Sequence, residues 1–444
     1  MNKRLVFFLV CILYLTGCTT IDELSWKKEV SFLIYESDSK IGSVDVVQLR
    51  PDAHMVVCEA PYGSSGGGLL KLVAENSLKV WSKPDTIVRS TLQCAFPTVA
   101  ILRDGLILTA FGMYRNSTGK QRGSSAGLFI IQSYDNGRSF TVPRRIPVNG
   151  YTWIRPTDKI LERNDGSLLL PLDAGVSLDQ VQPVILISSD RGETWDREVK
   201  ILNANLITGK FNNAKLVFLS DGRLFCMLER RDGDGYLYTA YSTDGGLTWS
   251  QPERSNIMGY ASDVIFDSKN RLICAYCDAW PEGISTMNSF DYGKTWENEV
   301  QHIPGNNISR PVLFRYKNDI MGMACLSADS SRIIGHAFHS DINLECSGFS
   351  GSCRNGQVNL RWNKAKQAAY YVIFRDNKNF DAIAMKVPDG NIIATATQPF
   401  YIDANVEKGQ TYWYRVAAVA GCGRPLPETG NMGEATDVLK MACE

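Results

Sequence analysis

Arginines and carboxylates recur at corresponding points along this chain, and that combination is suited to holding an anion. Arg155 and Arg310 each directly precede a proline. Arg115 follows Tyr114 at the end of one apolar run, and Glu229-Arg230-Arg231 ends another. Asp173, Asp158, Asp263 and Asp278 bring carboxylates into the same contexts, while Trp153 and Trp280 offer flat faces on which a sugar ring can stack. A guanidinium has forked donors and a permanent charge, which match a planar carboxylate. His54, His302, His336 and His339 lack metal-ligand spacing, and no metal site is expected from the cysteines, Cys274 and Cys277 included, which sit in an apolar run. Neither metal nor cofactor is expected.

The elements that position these residues come from a repeat. The octet Ser, any, Asp, any, Gly, any, Ser or Thr, aromatic stands at 133–140, 188–195, 242–249 and 289–296, with a worn copy at 74–81. Asp and Ser or Thr side chains bond nearby amides, and Gly supplies a left-handed position, so each octet predicts a hairpin turn. Apolar runs broken by Asp-Gly pairs at 104–105, 165–166 and 221–222 predict further hairpins between the octets. A period of this length with several strands per unit describes propeller blades. Inner strands at Val44, Phe96, Arg155, Asn213, Ser262 and Arg310 give six blades over residues 26–342, with the strand-like stretch 29–35 closing the sixth. The fold class is all-β: a six-bladed β-propeller followed by a small β-sandwich at 345–441.

The octet resembles the Asp-box of the sialidase superfamily. The resemblance puts the octets on the face away from the ligand. It implies three arginines holding a sialic acid carboxylate, a tyrosine nucleophile helped by a glutamate, and an aspartate acid. This chain departs from that set. Ala95 stands where the first arginine is expected, and Asn213 stands where the glutamate is expected. Arg230 or Arg231 falls near the second arginine. The expectation is a sialidase-like glycoside hydrolase acting on terminal acidic sugars of glycans through a non-standard site. Glu229 and Asp173 serve as acid or base, and Arg115, Trp153, Arg155, Arg230 and Arg310 bind substrate. A non-catalytic glycan-binding surface lipoprotein is the alternative. The C-terminal segment, with Trp362 on an early strand and Tyr412 as a corner tyrosine, resembles a fibronectin type III module.

Composition and the first residues set the compartment. Lys and Arg number 47, equal to Asp and Glu, and no basic run occurs, which argues against nucleic acid. Lys3 and Arg4 precede a short apolar run that ends in Leu15-Thr16-Gly17-Cys18. Residues 1–18 therefore read as a secretory signal resembling that of a bacterial lipoprotein, with Cys18 as lipid anchor to the outer membrane or cell surface. Cysteines inside apolar runs read as buried hydrophobes, and one or two disulfides are expected among Cys346, Cys353, Cys422 and Cys443.

Overall fold

Apolar runs punctuated by Asp-Gly turns fold into six successive antiparallel sheets. The computed structural model describes residues 30–442 apart from 61–66, 116–124, 203–208, 268–270, 280–281, 306–307, 318–319, 340–345, 366–367, 369, 379–391, 420–435 and 437. Residues 1–18, Trp280, Cys422, Cys443 and the expected domain boundary at 342–345 lie outside the described residues. The inner strands are Val44–Arg50, Gln93–Ile101, Trp153–Pro156, Phe211–Phe218, Tyr260–Phe266 and Ile308–Lys317. Each pairs with the strand that follows it, and neighbouring inner strands contact one another except between the third and fourth blades, where Leu168–Gly175 meets Phe211–Phe218. The outermost strand of the sixth sheet is Val30–Glu36, paired with Arg332–His339.

Both faces of each sheet are covered by its neighbours, so second strands such as Ala53–Glu59, Ile107–Tyr114 and Leu168–Gly175 are buried along their whole length. Unbroken apolar runs are the sequence form of that environment. Six buried clusters fill the six gaps between consecutive blades. One of them joins Val46 and Val56 of the first blade to Phe314 and Leu326 of the sixth, closing the ring.

The octets form the predicted turns. In the third copy, Ser242 Oγ donates to Asp244 and accepts the Gly246 amide at 2.7 Å, while Asp244 accepts the Thr248 amide at 2.9 Å and its hydroxyl at 2.6 Å. Gly246 sits at φ 93°. Trp195 and Trp249 each donate their indole N–H to the octet glycine and pack into the clusters between blades. The worn copy keeps this contact through Trp81 and the Leu78 carbonyl at 2.6 Å. Octets and Asp-Gly turns share one face: Arg191 of one octet pairs with Asp104 of the preceding blade's turn. Inner strands begin, and second strands end, on the other face.

The C-terminal sandwich sets a three-stranded sheet against a four-stranded one. Its core holds Trp362, 5.1 Å from Tyr371, and Tyr414. Tyr412 Oη accepts the Glu407 amide at 3.1 Å. Phe290, from the fifth-blade octet, packs against this core on the octet face. Cys353 is disulfide-bonded, whereas Cys346 is a free buried thiol. Cys58, Cys94, Cys226, Cys274, Cys277 and Cys325 are also free and buried.

Candidate functional site

Four inner strands carry the same irregularity near their start. The register shifts between Ala95 and Thr98, Asn212 and Lys215, Tyr260 and Asp263, and Ser309 and Val312. Phe96, Asn213, Ala261 and Arg310 take φ of 54°, 54°, 50° and 55° at these bulges. A bulge leaves an amide without its ladder partner and re-aims a side chain. Acids on the second strand of the preceding blade supply the missing acceptors. Glu59 takes the Phe96 amide at 3.1 Å, Asp173 the Asn213 amide at 3.0 Å, and Glu229 the Ser262 amide at 3.3 Å. The third blade is built differently. Trp153–Pro156 pairs without a shift, and Tyr114 Oη donates to the Ile154 carbonyl at 2.5 Å. Arg155 and Arg310 thus both precede proline but leave different backbones.

One step deeper, the odd-numbered blades clasp the even ones. Asp45 accepts the Val99 amide at 2.7 Å, Asp158 that of Leu216 at 2.6 Å, and Asp263 that of Leu313 at 2.7 Å. Lys159 pairs with Asp45 at 2.6 Å, and Lys215 lies 3.4 Å from Asp263 and 3.9 Å from Asp158. Burial works against charge on either lysine, but the surrounding carboxylates outweigh it and raise both pKa values. Burial, opposed by Lys215 and reinforced by Asp263, pushes Asp158 up to about 6. This charged layer divides the axial channel. On the octet side lies an apolar cavity of about 510 Å³, walled by residues such as Val47, Ile160, Val217 and Phe314. On the opposite side lies a polar cavity of about 360 Å³.

Two of the arginines expected to bind an anion meet at the polar cavity. Arg155 and Arg310 both line it, and each guanidinium lies 5.4 Å from the centre of the Phe96 ring between them. Arg155 also lies 5.5 Å from the Trp153 ring. Glu229 is in the wall, accepting a hydrogen bond from the Asn213 side chain. Burial raises its pKa, and the nearby Asp173 carboxylate adds to the shift against the opposing pull of Asn213 and Arg155. Among the described residues, Thr98 Oγ1, Asn212 Oδ1 and Ser262 Oγ are buried around this cavity without a hydrogen-bond partner.

Four expected site residues take other places, Trp153 among them, which meets Arg155 without lining the cavity. Asp173 has no exposed surface and does not line the cavity; it pairs with Arg155 at 2.7 Å while holding the Asn213 amide, so its oxygens are engaged. It positions Arg155 and the bulge instead of meeting a ligand. Arg230 stacks over Phe211 and Tyr238 and pairs with Asp232, which puts it in an adjoining hollow. Arg115 is exposed and forms no part of the cavity wall. Reading the sequence missed Phe96, Tyr260, Lys159 and Lys215 as cavity residues. Lys215 did leave a signal, since charge inside an apolar strand requires a partner. No group of three or more His, Cys, Asp or Glu among the described residues is placed to hold a metal ion.

Residues 69–274 match the BNR repeat-like domain family. The BNR segment begins in the first blade and ends in the second strand of the fifth. A sialidase of Clostridium perfringens is 27% identical over 179 residues, spanning 36% of this chain and 44% of that enzyme, less than half its length. An α-L-arabinanase of Penicillium chrysogenum, solved with arabinobiose, superposes with a TM-score of 0.58 at 13% identity, covering 70% of this chain and 98% of the arabinanase. A leech intramolecular trans-sialidase, solved with 2,7-anhydro-Neu5Ac, gives 0.56 at 12% identity, covering 69% and 70%. At these identities the structural likenesses establish the fold. The BNR match and the Clostridium perfringens sialidase add a sequence similarity to the sialidase/BNR superfamily.

Proposed function

We propose that the polar axial cavity seats a terminal acidic sugar of a glycan, with the sugar carboxylate against Arg155 and Arg310. The observation that carries this is the pair of guanidinium groups flanking Phe96 at one cavity wall. Phe96 offers an apolar face between two cations, an arrangement suited to a ring bearing a carboxylate. In the hydrolytic reading, Glu229 is the acid. Its raised pKa keeps a proton available to the leaving glycosidic oxygen, as tuned carboxyl groups do in glycosidases.

A second reading, a glycan-binding protein without turnover, is favoured by the engagement of Asp173 and by Asn213 and Ala95 standing where the resemblance places a glutamate and an arginine. The test is release of free sugar from sialylated and uronic-acid glycans, run beside binding to the same glycans. Hydrolysis predicts turnover that Glu229→Gln lowers by about 100-fold or more while binding persists. Binding without turnover selects the second reading, and neither binding nor turnover overturns the proposal.

We further propose export and lipid attachment at Cys18, with the sandwich as a fibronectin type III-like spacer. Fatty-acid labelling that survives Cys18→Ser would refute the attachment.

A further inference from the structure

The two points where the chain leaves the ring both lie on the octet face, opposite the polar cavity. Val30 pairs with Ala337 and Glu36 with Arg332, so the closing strand starts at the octet end of the sixth blade and runs toward the cavity face. The third strand of that blade finishes at His339, beside Ile320 at the start of the second strand, and hence at the octet end as well. The sandwich that follows meets the fifth-blade octet through Phe290. Across the ring, the octets of the first two blades expose Val80 and Tyr134 at 70% each, with Val142 next to them at 83%. Lys79, Lys83 and Arg138 are exposed around them. Apolar and basic side chains set together suit a surface of anionic lipid headgroups.

We infer that the protein stands with its octet face toward its membrane and its polar cavity opening away, so that its partners are glycans met in trans. Such glycans are free in solution or carried on a facing surface; short glycolipids of the protein's own bilayer are excluded. The inference rests on lipid attachment at Cys18 and on the axial cavity as the glycan site. Tether length decides the orientation. Cys18 stands twelve positions before Val30, and a chain of twelve residues spans at most about 40 Å. The blade is tall on that scale, since the nine-residue strand Gly67–Glu75 alone covers about 30 Å. A lipid at Cys18 therefore keeps the octet face beside the bilayer. Turning the cavity mouth to the bilayer would use most of the tether on passing the height of the blade.

The test places the full-length, lipid-bearing protein in phosphatidylcholine and phosphatidylglycerol vesicles that contain a rhodamine lipid. A donor dye sits on Lys83→Cys at the octet end or on Lys40→Cys at the cavity end, the free thiols described above being buried. Lys40 belongs to the link that Ser330 and Ser331 pin at the cavity end of the sixth blade. Energy transfer to the bilayer is expected to be at least about twofold stronger from position 83, because the blade separates the two dyes by about 30 Å. Equal transfer, or stronger transfer from position 40, overturns the orientation and leaves lipid attachment standing. Protein that does not float with the vesicles removes attachment and orientation together. The same vesicles then test the partner with sialyllactosylceramide and a glucuronyl lipid, each placed in the protein's own vesicles or in separate ones, and with the free sugars of both. Binding, or turnover where it occurs, is expected to favour separate vesicles by about tenfold, since a geometry that forbids engagement cancels the advantage of a shared surface. Equal or better use of a glycolipid in the protein's own vesicles overturns the inference. Uptake of the free sugars alone supports it, with soluble glycans as the partner. If no sugar is taken up in any form, the axial reading falls and the partner with it, whatever the dyes report.

Discussion

Arg155 is both a candidate ligand for a sugar carboxylate and the counter-ion of a fully buried acid. Its side chain is 14% exposed while that of Asp173 is 0% exposed, and burial alone would weaken the arginine's charge were Asp173 not so close. Removing one member of such a pair leaves an uncompensated charge in the interior. Arg155→Met is therefore expected to cost roughly 3–5 kcal/mol of stability by urea unfolding. The double variant Arg155→Met/Asp173→Asn should recover much of that loss without regaining affinity for acidic sugars. An Arg155→Met protein as stable as the wild type would mean that the pair is not the brace described above. At this scale the sequence is legible only in part. The two arginines that precede prolines both line the axial cavity. The role of Asp173 is set by an amide 40 residues away in another blade, which no local pattern reports.

The octet turns are the elements whose chemistry is complete within eight residues, and that is why they can be read without coordinates. Every donor that Asp244 satisfies belongs to Ser242, Leu247 or Thr248. The bulges of the inner strands are not legible, because their acceptors come from a different sheet. Local satisfaction also sets a pH signature. The Ser139 and Thr194 hydroxyls hold Asp135 and Asp190 down to about 2, and for Asp244 the Thr248 contacts overcome an opposing burial effect to reach the same value. A carboxylate whose pKa falls on folding adds stability that is complete above the unfolded pKa and disappears as pH drops toward the folded value. Octet stabilisation should therefore fade between about pH 4 and about pH 2. Asp244→Ala is expected to cost about 1 kcal/mol at neutral pH, the size of a lost side-chain cap, and to lose less against wild type as the medium is acidified. Thermal unfolding at pH 7 and pH 3 measures this; a deficit that grows at low pH contradicts it.

Five of the six blades are built from one continuous stretch of chain, but the sixth is completed by a strand from the other end of the sequence. Val30–Glu36 pairs with Arg332–His339, and the link that follows is pinned where Ile41 donates to the Ser330 carbonyl at 2.7 Å. Alternating residues at 29–35 make the strand visible in the sequence; its pairing is a property of the closed ring. Ile34 and Phe32 enter the cluster with Val312, Phe314 and Leu326, and a side chain at Gly335 would collide with the Phe32 ring. Deleting residues through 36 should expose that apolar surface and leave Arg332–His339 as a bare sheet edge, which templates pairing with other copies. The site should fail along with the junction, because Arg310 belongs to the sixth blade and Asp45, the partner of Lys159, belongs to the first. The truncated protein is expected to elute as aggregates on gel filtration and to lose ligand binding, and a synthetic peptide of residues 28–38 added during refolding should restore monomer and binding together. A truncated chain that stays monomeric with an unchanged melting transition would show that the ring does not depend on this strand.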